Sequence, residues 1–245
     1  MKSIINLSYM DLKNFLKSIM FKVGLLIPIG FSLLLTCIIF KRNVIIDDFT
    51  PMLGQFLYIT IIIFTAQILL KDILSNTDKQ LFTGKFNRSE ILLSKFFSIL
   101  IIGVFLSLFI QIIAFLMNII IYKKDGFYMF LNLEHIKIIF SYTLITLFVG
   151  SIMLLVVSIF YKKTKPILLV GMSLFMINYF NPFIITSCKE LIISNNVLYL
   201  YSKTPFFKCS NLILGDYNYI YFIILLISSL IFNILNIIII NNKEI

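Results

Sequence analysis

Charged residues are scarce in this chain, which also has no tryptophan and only one histidine. Of its 245 residues, 13% are charged and 60% are hydrophobic. A soluble domain of this length needs a polar shell around its core, and so few charges cannot supply one. The composition therefore excludes an ordinary water-soluble protein and predicts an integral membrane protein whose apolar surface is covered by lipid.

Metal-ligand patterns are also missing. Cys37, Cys188 and Cys209 have no CxxC spacing, and His135 has no partner at ligand spacing, so no metal site is expected.

The net charge of +10 comes from short basic clusters between apolar runs, without a nucleic-acid-binding motif. It indicates membrane orientation and no nucleic-acid partner. The first apolar run lacks a signal-peptide cleavage site, so the N-terminus is expected to stay attached.

Six apolar stretches are long enough to cross a hydrocarbon core of about 30 Å as helices. They are apolar on every side, which favours helices over the alternating pattern of barrel strands. Asn178, Asn181 and Pro182 interrupt the fifth, where a re-entrant segment is the alternative. Residues 1–245 thus form a single all-α transmembrane domain. The predicted spans are Val23–Phe40, Met52–Leu70, Phe96–Tyr122, Ile138–Tyr161, Pro166–Ser187 and Tyr219–Ile240.

Residues 1–21, before the first span, have the pattern of an interfacial helix. Ile5, Leu12, Leu16 and Ile19 lie close to one helical face, with lysines on other sides. If the N-terminus is cytoplasmic, the inner segments hold 13 Lys and Arg residues and the outer loops hold 8. This bias predicts that both ends of the chain are cytoplasmic.

The connection between spans two and three, residues 71–95, carries two capping boxes. Thr77–Gln80, followed by Gly84, predicts a short helix at Asp78–Thr83. Asn87–Glu90 predicts the start of a helix that runs on into the third span. The segment is therefore expected to form a small structured knob on the cytoplasmic surface.

The outer segment, residues 188–218, is too long for a simple turn. Its apolar pieces are too short to span and predict short helices or re-entrant pieces packed against the spans. Cys188 and Cys209 both fall here. A disulfide between them is one possibility, and two isolated thiols are the favoured reading.

The predicted spans contain no Asp, Glu, Lys, Arg or His, which disfavours a proton-coupled carrier and an intramembrane enzyme. Their polar residues are amides that either line a pathway or hydrogen-bond between helices, and the second role is the more common. A phosphate-binding loop is missing too, because Phe86 follows Gly84 and Lys85 where Ser or Thr is required. The pathway candidates are Gln55, Gln67, Gln111, Asn118, Asn178, Asn233 and Asn236.

This arrangement resembles the membrane subunit of a type-2 ABC exporter, which has an N-terminal elbow helix, six spans and a coupling helix between spans two and three. In that family an acidic residue ends span two, and a short helix, a Pro-x-Ser-Arg-like turn, an apolar pair and a Lys follow. Asp72, Asp78–Thr83, Lys85-Phe-Asn-Arg88, Ile91-Leu-Leu and Lys95 stand at those places. Asp72 replaces the more common Glu, and Lys85 replaces the usual Pro.

The resemblance implies a permease that pairs with itself or with a related chain in a bacterial plasma membrane. Two separate ATPase subunits would bind ATP and Mg²⁺, and this chain would need no cofactor and catalyse no reaction. The implied substrates are amphipathic peptides, as in the export or bacteriocin self-protection systems of low-GC Gram-positive bacteria. The alternatives are a lipid or drug substrate, or a non-transporting role as a scaffold or sensor. The implied ATPase-docking residues are Asp72, Asp78, Leu81, Phe82, Arg88 and Glu90.

Overall fold

All the regular secondary structure of the described residues is helical. A computed structural model describes residues 2–42, 48–74, 87–161, 163–187 and 195–242, and these ranges contain ten helices. We number them α1 (Lys2–Leu16), α2 (Ile19–Arg42), α3 (Thr50–Leu74), α4 (Arg88–Tyr122), α5 (Lys124–Leu131), α6 (His135–Ile159), α7 (Thr164–Ser187), α8 (Asn196–Ser202), α9 (Pro205–Ile213) and α10 (Tyr219–Asn241).

Six of these helices are long and apolar enough to cross a membrane: α2, α3, α4, α6, α7 and α10. They coincide with the six predicted stretches, so the six-span, all-α prediction is confirmed. The predicted fifth span is continuous as well. Pro182 lies inside α7, which runs on to Ser187 and does not turn back. The re-entrant alternative for this segment is therefore wrong.

Helix α4 begins earlier than its predicted span because of its N-terminal cap. Asn87 is extended, and its backbone N–H donates to the Glu90 carboxylate at 3.2 Å. The predicted helix start at Asn87–Glu90 is confirmed. With 35 residues, α4 is about 52 Å long at about 1.5 Å per residue, so it exceeds the hydrocarbon core of about 30 Å. The first turns of α4 therefore extend beyond the membrane interior.

Helix α6 is the centre of the bundle. Most of its residues are buried, and it packs against α3, α4 and α10. By contrast, only 22% of the apolar window of α2 and 28% of those of α7 and α10 are buried, although these helices are strongly apolar. In a soluble protein this surface would be unstable, but here it is the surface that lipid covers.

The interfacial helix α1 packs on the bundle through its polar side. Ser8 and Phe15 are buried and Asp11 is mostly buried, whereas Ile5 and Leu16 are exposed. The N-terminal segment is helical as predicted, although the helix ends at Leu16 and gives way to α2 after a short turn, and its position at the membrane interface stays a prediction. Its apolar side faces outward because lipid, not water, is the neighbour there.

An aromatic cluster fixes the turn between α1 and α2 against α3. Phe15 meets Phe64 edge-on at 4.9 Å between ring centroids, and Phe21 stacks on Phe64 at 5.4 Å. Gly24 lets α2 approach α3 closely, since a Cβ atom there would lie 2.2 Å from the Phe64 ring. The Thr60 hydroxyl donates to the Gly24 carbonyl at 2.9 Å and joins the two helices at this crossing.

Helix α1 and the end of α10 lie at the same end of the bundle, beside the start of α4. Lys95 of α4 contacts Asp11 of α1, and Arg88 of α4 contacts the carbonyl of Ile240 near the end of α10. At the opposite end, the Tyr142 hydroxyl donates to the Thr50 carbonyl at 2.8 Å. This placement agrees with an even number of crossings.

The outer segment forms two short helices, as predicted, within its described part. They are α8 and α9, and residues 188–194 lie outside the described residues. Helix α5 packs back against the end of α4, where a Cβ atom on Gly126 would lie 2.1 Å from the Asn118 carbonyl oxygen. Phe130 of α5 also meets Phe115 of α4 edge-on at 5.0 Å.

Single cysteines test which end of the bundle is cytoplasmic. In a variant lacking Cys37, Cys188 and Cys209, we expect D125C and K203C to react with an impermeant thiol reagent on intact cells. T164C and N242C should react only after the membrane is opened, because the Lys and Arg bias places them inside. All four positions are exposed in the folded chain, so burial does not limit the reaction. Reaction of N242C on intact cells would contradict the assigned orientation.

Candidate functional site at the Lys95 end of the bundle

Lys95 is a buried cation held by two carboxylates. Its side chain is 2% exposed, and its Nζ lies 2.8 Å from Asp11 Oδ1 and 2.5 Å from Asp72 Oδ2. Asp11 belongs to α1, Asp72 to the last turn of α3 and Lys95 to α4. We call these three residues the ion triad. It joins the interfacial helix to both helices that flank residues 75–86.

Burial of the charged groups of the ion triad has an energetic cost. An isolated buried ammonium costs several kcal/mol in desolvation, which explains why Lys95 attracts two partners. The positive charge of Lys71 also acts on Asp11, and Asp11 Oδ2 is buried with no hydrogen-bond partner among the described residues. Burial raises the pKa of Asp11 above its usual value of 3.8, although the neighbouring Lys95 opposes that shift.

Serine hydroxyls reinforce the contact between α1 and α4. Ser8 Oγ donates to the Ser94 carbonyl at 2.9 Å, and Ser98 Oγ donates to the Ser8 carbonyl at 3.4 Å. Small side chains at these positions let the two helices approach closely, as in packed membrane helices. Helix α1 is thus held by polar contacts along its inner face, in addition to Phe15.

The sequence motif includes both Asp72 and Lys95, but it does not predict that their side chains form an ion pair. Asp72 was assigned to ATPase docking, and in the structure its carboxylate, 19% exposed, contacts Lys95 inside the bundle. The predicted spans contain no Asp, Glu, Lys, Arg or His. Helices α3 and α4 extend beyond those spans and include Asp72 and Lys95. The signal in the sequence was an acidic residue and a lysine at the two ends of one connection.

Two other docking candidates shape helix ends. Arg88 Nη1 donates to the Ile240 carbonyl at 3.0 Å and reaches the Asn241 carbonyl at 3.5 Å. A cation at this point suits the negative end of the α10 helix dipole. Glu90 caps α4. The remaining candidates, Asp78, Leu81 and Phe82, lie outside the described residues, as does the predicted helix at Asp78–Thr83.

A small polar cavity of about 50 Å³ adjoins the ion triad. It lies between α1, α3 and α4, and Phe15, Ile68 and Ile102 form part of its wall. A space of this size and polarity suits one or a few small polar groups or water molecules. Its polar lining residues are Asp11, Asn14, Ser18, Gln67, Lys71, Asp72 and Ser98.

An apolar groove of about 480 Å³ lies on the other side of α3. Residues of α3 and α7 line most of it, with Met20 from α2 and Met153 from α6. Its volume falls within the range of about 300–1,000 Å³ that is common for small-molecule sites. Gln67 lines both the groove and the polar cavity. Of the pathway candidates, only Gln67 borders either space.

Two other pathway candidates form hydrogen bonds in the half of the bundle that lies away from the ion triad. Gln111 donates through Nε2 to the His135 carbonyl at 2.9 Å, and Asn118 donates to the Ala114 carbonyl at 3.0 Å. Asn233 and Asn236 are buried. Gln55 is half-buried. Gln111 therefore forms a hydrogen bond between α4 and α6, as the interhelical alternative predicts, whereas the bond of Asn118 lies within α4.

Asn178 belongs to a polar cluster that ties α7 to the outer segment. It accepts from Ser210 Oγ at 3.4 Å, and Asn181 donates to the same hydroxyl oxygen at 2.8 Å. The Tyr201 hydroxyl donates to Asn181 Oδ1 at 2.5 Å. The amides that interrupt the fifth span thus position α8 and α9 against α7.

Cys209 is a buried free thiol in α9, and the choice between a disulfide to Cys188 and two isolated thiols stays a prediction. Burial raises the pKa of the Cys209 thiol, so the residue behaves as a small apolar group. Cys188 lies outside the described residues.

Comparison with protein families gives one assignment. Residues 43–245 match the model of a family described as "protein of unknown function (DUF2705)". The chain belongs to this family. The region that matches the family includes Asp72 and Lys95 of the ion triad, whereas Asp11 precedes it. Comparisons with curated proteins and with solved structures give no match.

Removing the ammonium of the ion triad tests its role in stability. We expect K95M to lower the free energy of unfolding in detergent by about 3–5 kcal/mol, because two buried carboxylates lose their partner. The loss should fall towards the lower value, since Asp11 and Asp72 are 22% and 19% exposed. Thermal unfolding followed by circular dichroism provides the measurement.

Two further variants make this test specific. The triple variant D11N/K95M/D72N removes every charge of the triad and should recover much of the lost stability. K137M removes the cation of the exposed Lys137–Glu134 pair and should not change the melting temperature. If K95M melts at the wild-type temperature, the ion triad does not hold the bundle together.

Proposed function

We propose that this protein is the transmembrane subunit of an ATP-driven ABC exporter in a bacterial plasma membrane. In this proposal it works as a homo- or heterodimer with two separate ATPase subunits, which bind ATP and Mg²⁺. Both chain termini are cytoplasmic. The favoured substrates are amphipathic peptides, exported or cleared for self-protection.

The single observation that supports this proposal most strongly is the ion triad. Asp72 and Lys95 stand on the two helices that enter and leave residues 75–86, and Asp11 adds the interfacial helix to them. A partner that pushes on the connection between α3 and α4 would therefore act on three elements at once. This is the arrangement that a docking segment needs if it is to transmit force into the bundle.

Arg88 extends this support to the last span. Its contact with the Ile240 carbonyl links the start of α4 to the end of α10. The sequence lacks a phosphate-binding loop, so the energy for transport would have to come from a partner. The groove beside α3 and α7 offers an apolar surface to substrates with an apolar part.

Loss of partner binding tests the proposal. We expect F82D to abolish co-purification of an ATP-binding subunit in mild detergent, because a carboxylate would replace the expected apolar docking contact. Y128D is the matched control. Tyr128 is an exposed aromatic residue of α5 at the opposite end of the bundle, so this variant should retain the partner.

Membrane insertion must be equal for wild type, F82D and Y128D, as judged by membrane fractionation. Equal partner recovery with F82D and wild type would refute the docking assignment. If wild type itself brings down no ATP-binding subunit, the exporter proposal fails and the scaffold or sensor role becomes the better account.

A further inference from the structure

We propose that the apolar groove binds an anionic phospholipid from the membrane leaflet at the ion-triad end of the bundle. One acyl chain lies between α3 and α7, and the head group lies at Lys163 and Lys165. This inference goes beyond the proposed function and does not depend on it. A transported molecule with an apolar part would compete with this lipid for the groove.

The groove has the depth of one leaflet. On α7 its lining residues run from Thr164, at the start of the helix, to Phe175, and on α3 they run from Leu70 to Ile59. Each stretch advances 11 positions along the sequence, which is about 16 Å at about 1.5 Å per residue. Half of a hydrocarbon core of about 30 Å is about 15 Å. An acyl chain that enters at the ion-triad end therefore follows the groove along its whole length.

The groove opens towards lipid. Leu168 and Met172, which line it from α7, are 66% and 68% exposed. Three of the lining side chains are methionines, which are flexible and adapt to different apolar partners. Of the lining side chains, only Gln67 and Thr164 are polar. An acyl chain thus reaches the groove from the bilayer and meets an almost entirely apolar wall.

Two lysines flank the groove at its ion-triad end. Lys163 and Lys165 are exposed and stand on either side of the lining residue Thr164. Lys165 precedes Leu168 by three positions and Met172 by seven, so these three residues share one strip of α7. Neither lysine forms a salt bridge with a described residue. Their ammonium groups therefore lie where an acyl chain in the groove would meet its head group.

The four helices that line the groove supply a single carboxylate. Helices α2, α6 and α7 contain no Asp or Glu, and the only one in α3 is Asp72, which belongs to the ion triad on the other side of that helix. On the basic side, Lys17 and Lys22 are exposed and lie before and after the lining residue Met20. The field at this end of the groove is therefore positive, which favours a head group with a net negative charge.

The same lysines disfavour a second copy of the chain as the occupant. Two copies in one membrane have the same orientation, so a symmetric contact through this face would bring both sets of lysines to the same level. Repulsion between like charges would oppose that contact, whereas an anionic head group would neutralise the lysines. A dimer is free to form through another exposed helix, such as α10.

The absence of tryptophan from the chain allows a direct binding assay. F175W places one tryptophan at the deep end of the groove, 11 positions from Thr164. L230W is the matched control, because Leu230 is exposed on α10 and lies 11 positions from Asn241 at the end of that helix. Single copies of each variant are embedded in phosphatidylcholine nanodiscs with increasing fractions of phospholipid that has brominated acyl chains. Bromine quenches tryptophan fluorescence on contact.

We expect brominated phosphatidylglycerol to quench F175W at a membrane fraction about tenfold lower than brominated phosphatidylcholine, since each lysine near the surface favours an anionic lipid several-fold. L230W should be quenched alike by both lipids. K163Q/K165Q should remove the preference of F175W, whereas K203Q/K208Q, which changes two lysines at the opposite end, should keep it. A66F, which fills the groove, should weaken quenching of F175W by both lipids.

Three outcomes would overturn the proposal. The head-group assignment is wrong if both lipids quench F175W at the same fraction, or if K163Q/K165Q leaves the preference unchanged. The groove is not the site if A66F leaves quenching unchanged, which decides the matter should the lysine variant fail to fold. Shielding of F175W from both lipids in nanodiscs that hold two copies, but not in those that hold one, would identify a second copy as the occupant. No ATPase takes part in this assay, so its result is separate from that of the exporter proposal.

Discussion

The burial of the Lys95 ammonium is the constraint on which this end of the molecule depends. A cation with 2% of its side chain exposed must be neutralised, and the two carboxylates that do so come from different helices. Because Asp11 is one of them, the interfacial helix is held on the bundle and is not merely adsorbed to lipid. Because Asp72 is the other, the ends of α3 and α4 that flank residues 75–86 are held together.

In the rest of the bundle, polar groups must form hydrogen bonds within the protein because water is absent from the membrane interior. Hydroxyl groups within the spans donate to carbonyls one turn earlier, as Thr65 does to Ile61 at 2.8 Å and Thr146 does to Tyr142 at 2.7 Å. Charged side chains lie at both ends of the described bundle, and among them Lys95 of the ion triad is fully buried. The apolar groove lies on the other side of α3, and Gln67 borders both spaces.

Local signals predicted the fold well. Six long apolar runs gave the spans, and Asn87 with Glu90 predicted the start of α4, because helix length and capping depend on residues close together in sequence. The direction in which α1 packs was not predictable in the same way. Its apolar stripe predicts the face that meets lipid, but the sequence does not show that the face with Ser8 and Asp11 packs on α4.

The candidate site was predicted only in part. Asp72 and Lys95 were recognised as a motif, yet their pairing and the participation of Asp11, 84 positions from Lys95, depend on tertiary packing. Gln67 is a candidate for its polarity alone, and its place between two spaces depends on how α1, α4 and α7 are arranged around α3. Docking by Leu81 and Phe82 stays a prediction, since these residues lie outside the described ranges.

The packing of α1 on α4 is the central claim, and crosslinking in native membranes tests it most directly. In a variant without the natural cysteines, S8C and S98C should be joined rapidly by a short bifunctional thiol reagent, because the Ser8 carbonyl lies 3.4 Å from Ser98 Oγ. Tyr9 is exposed on the other side of α1, so the pair Y9C and S98C should be joined far more slowly. Mass spectrometry of the linked peptides measures both rates. Equal rates for the two pairs would mean that α1 is not docked on α4, and the role given to the ion triad would be wrong.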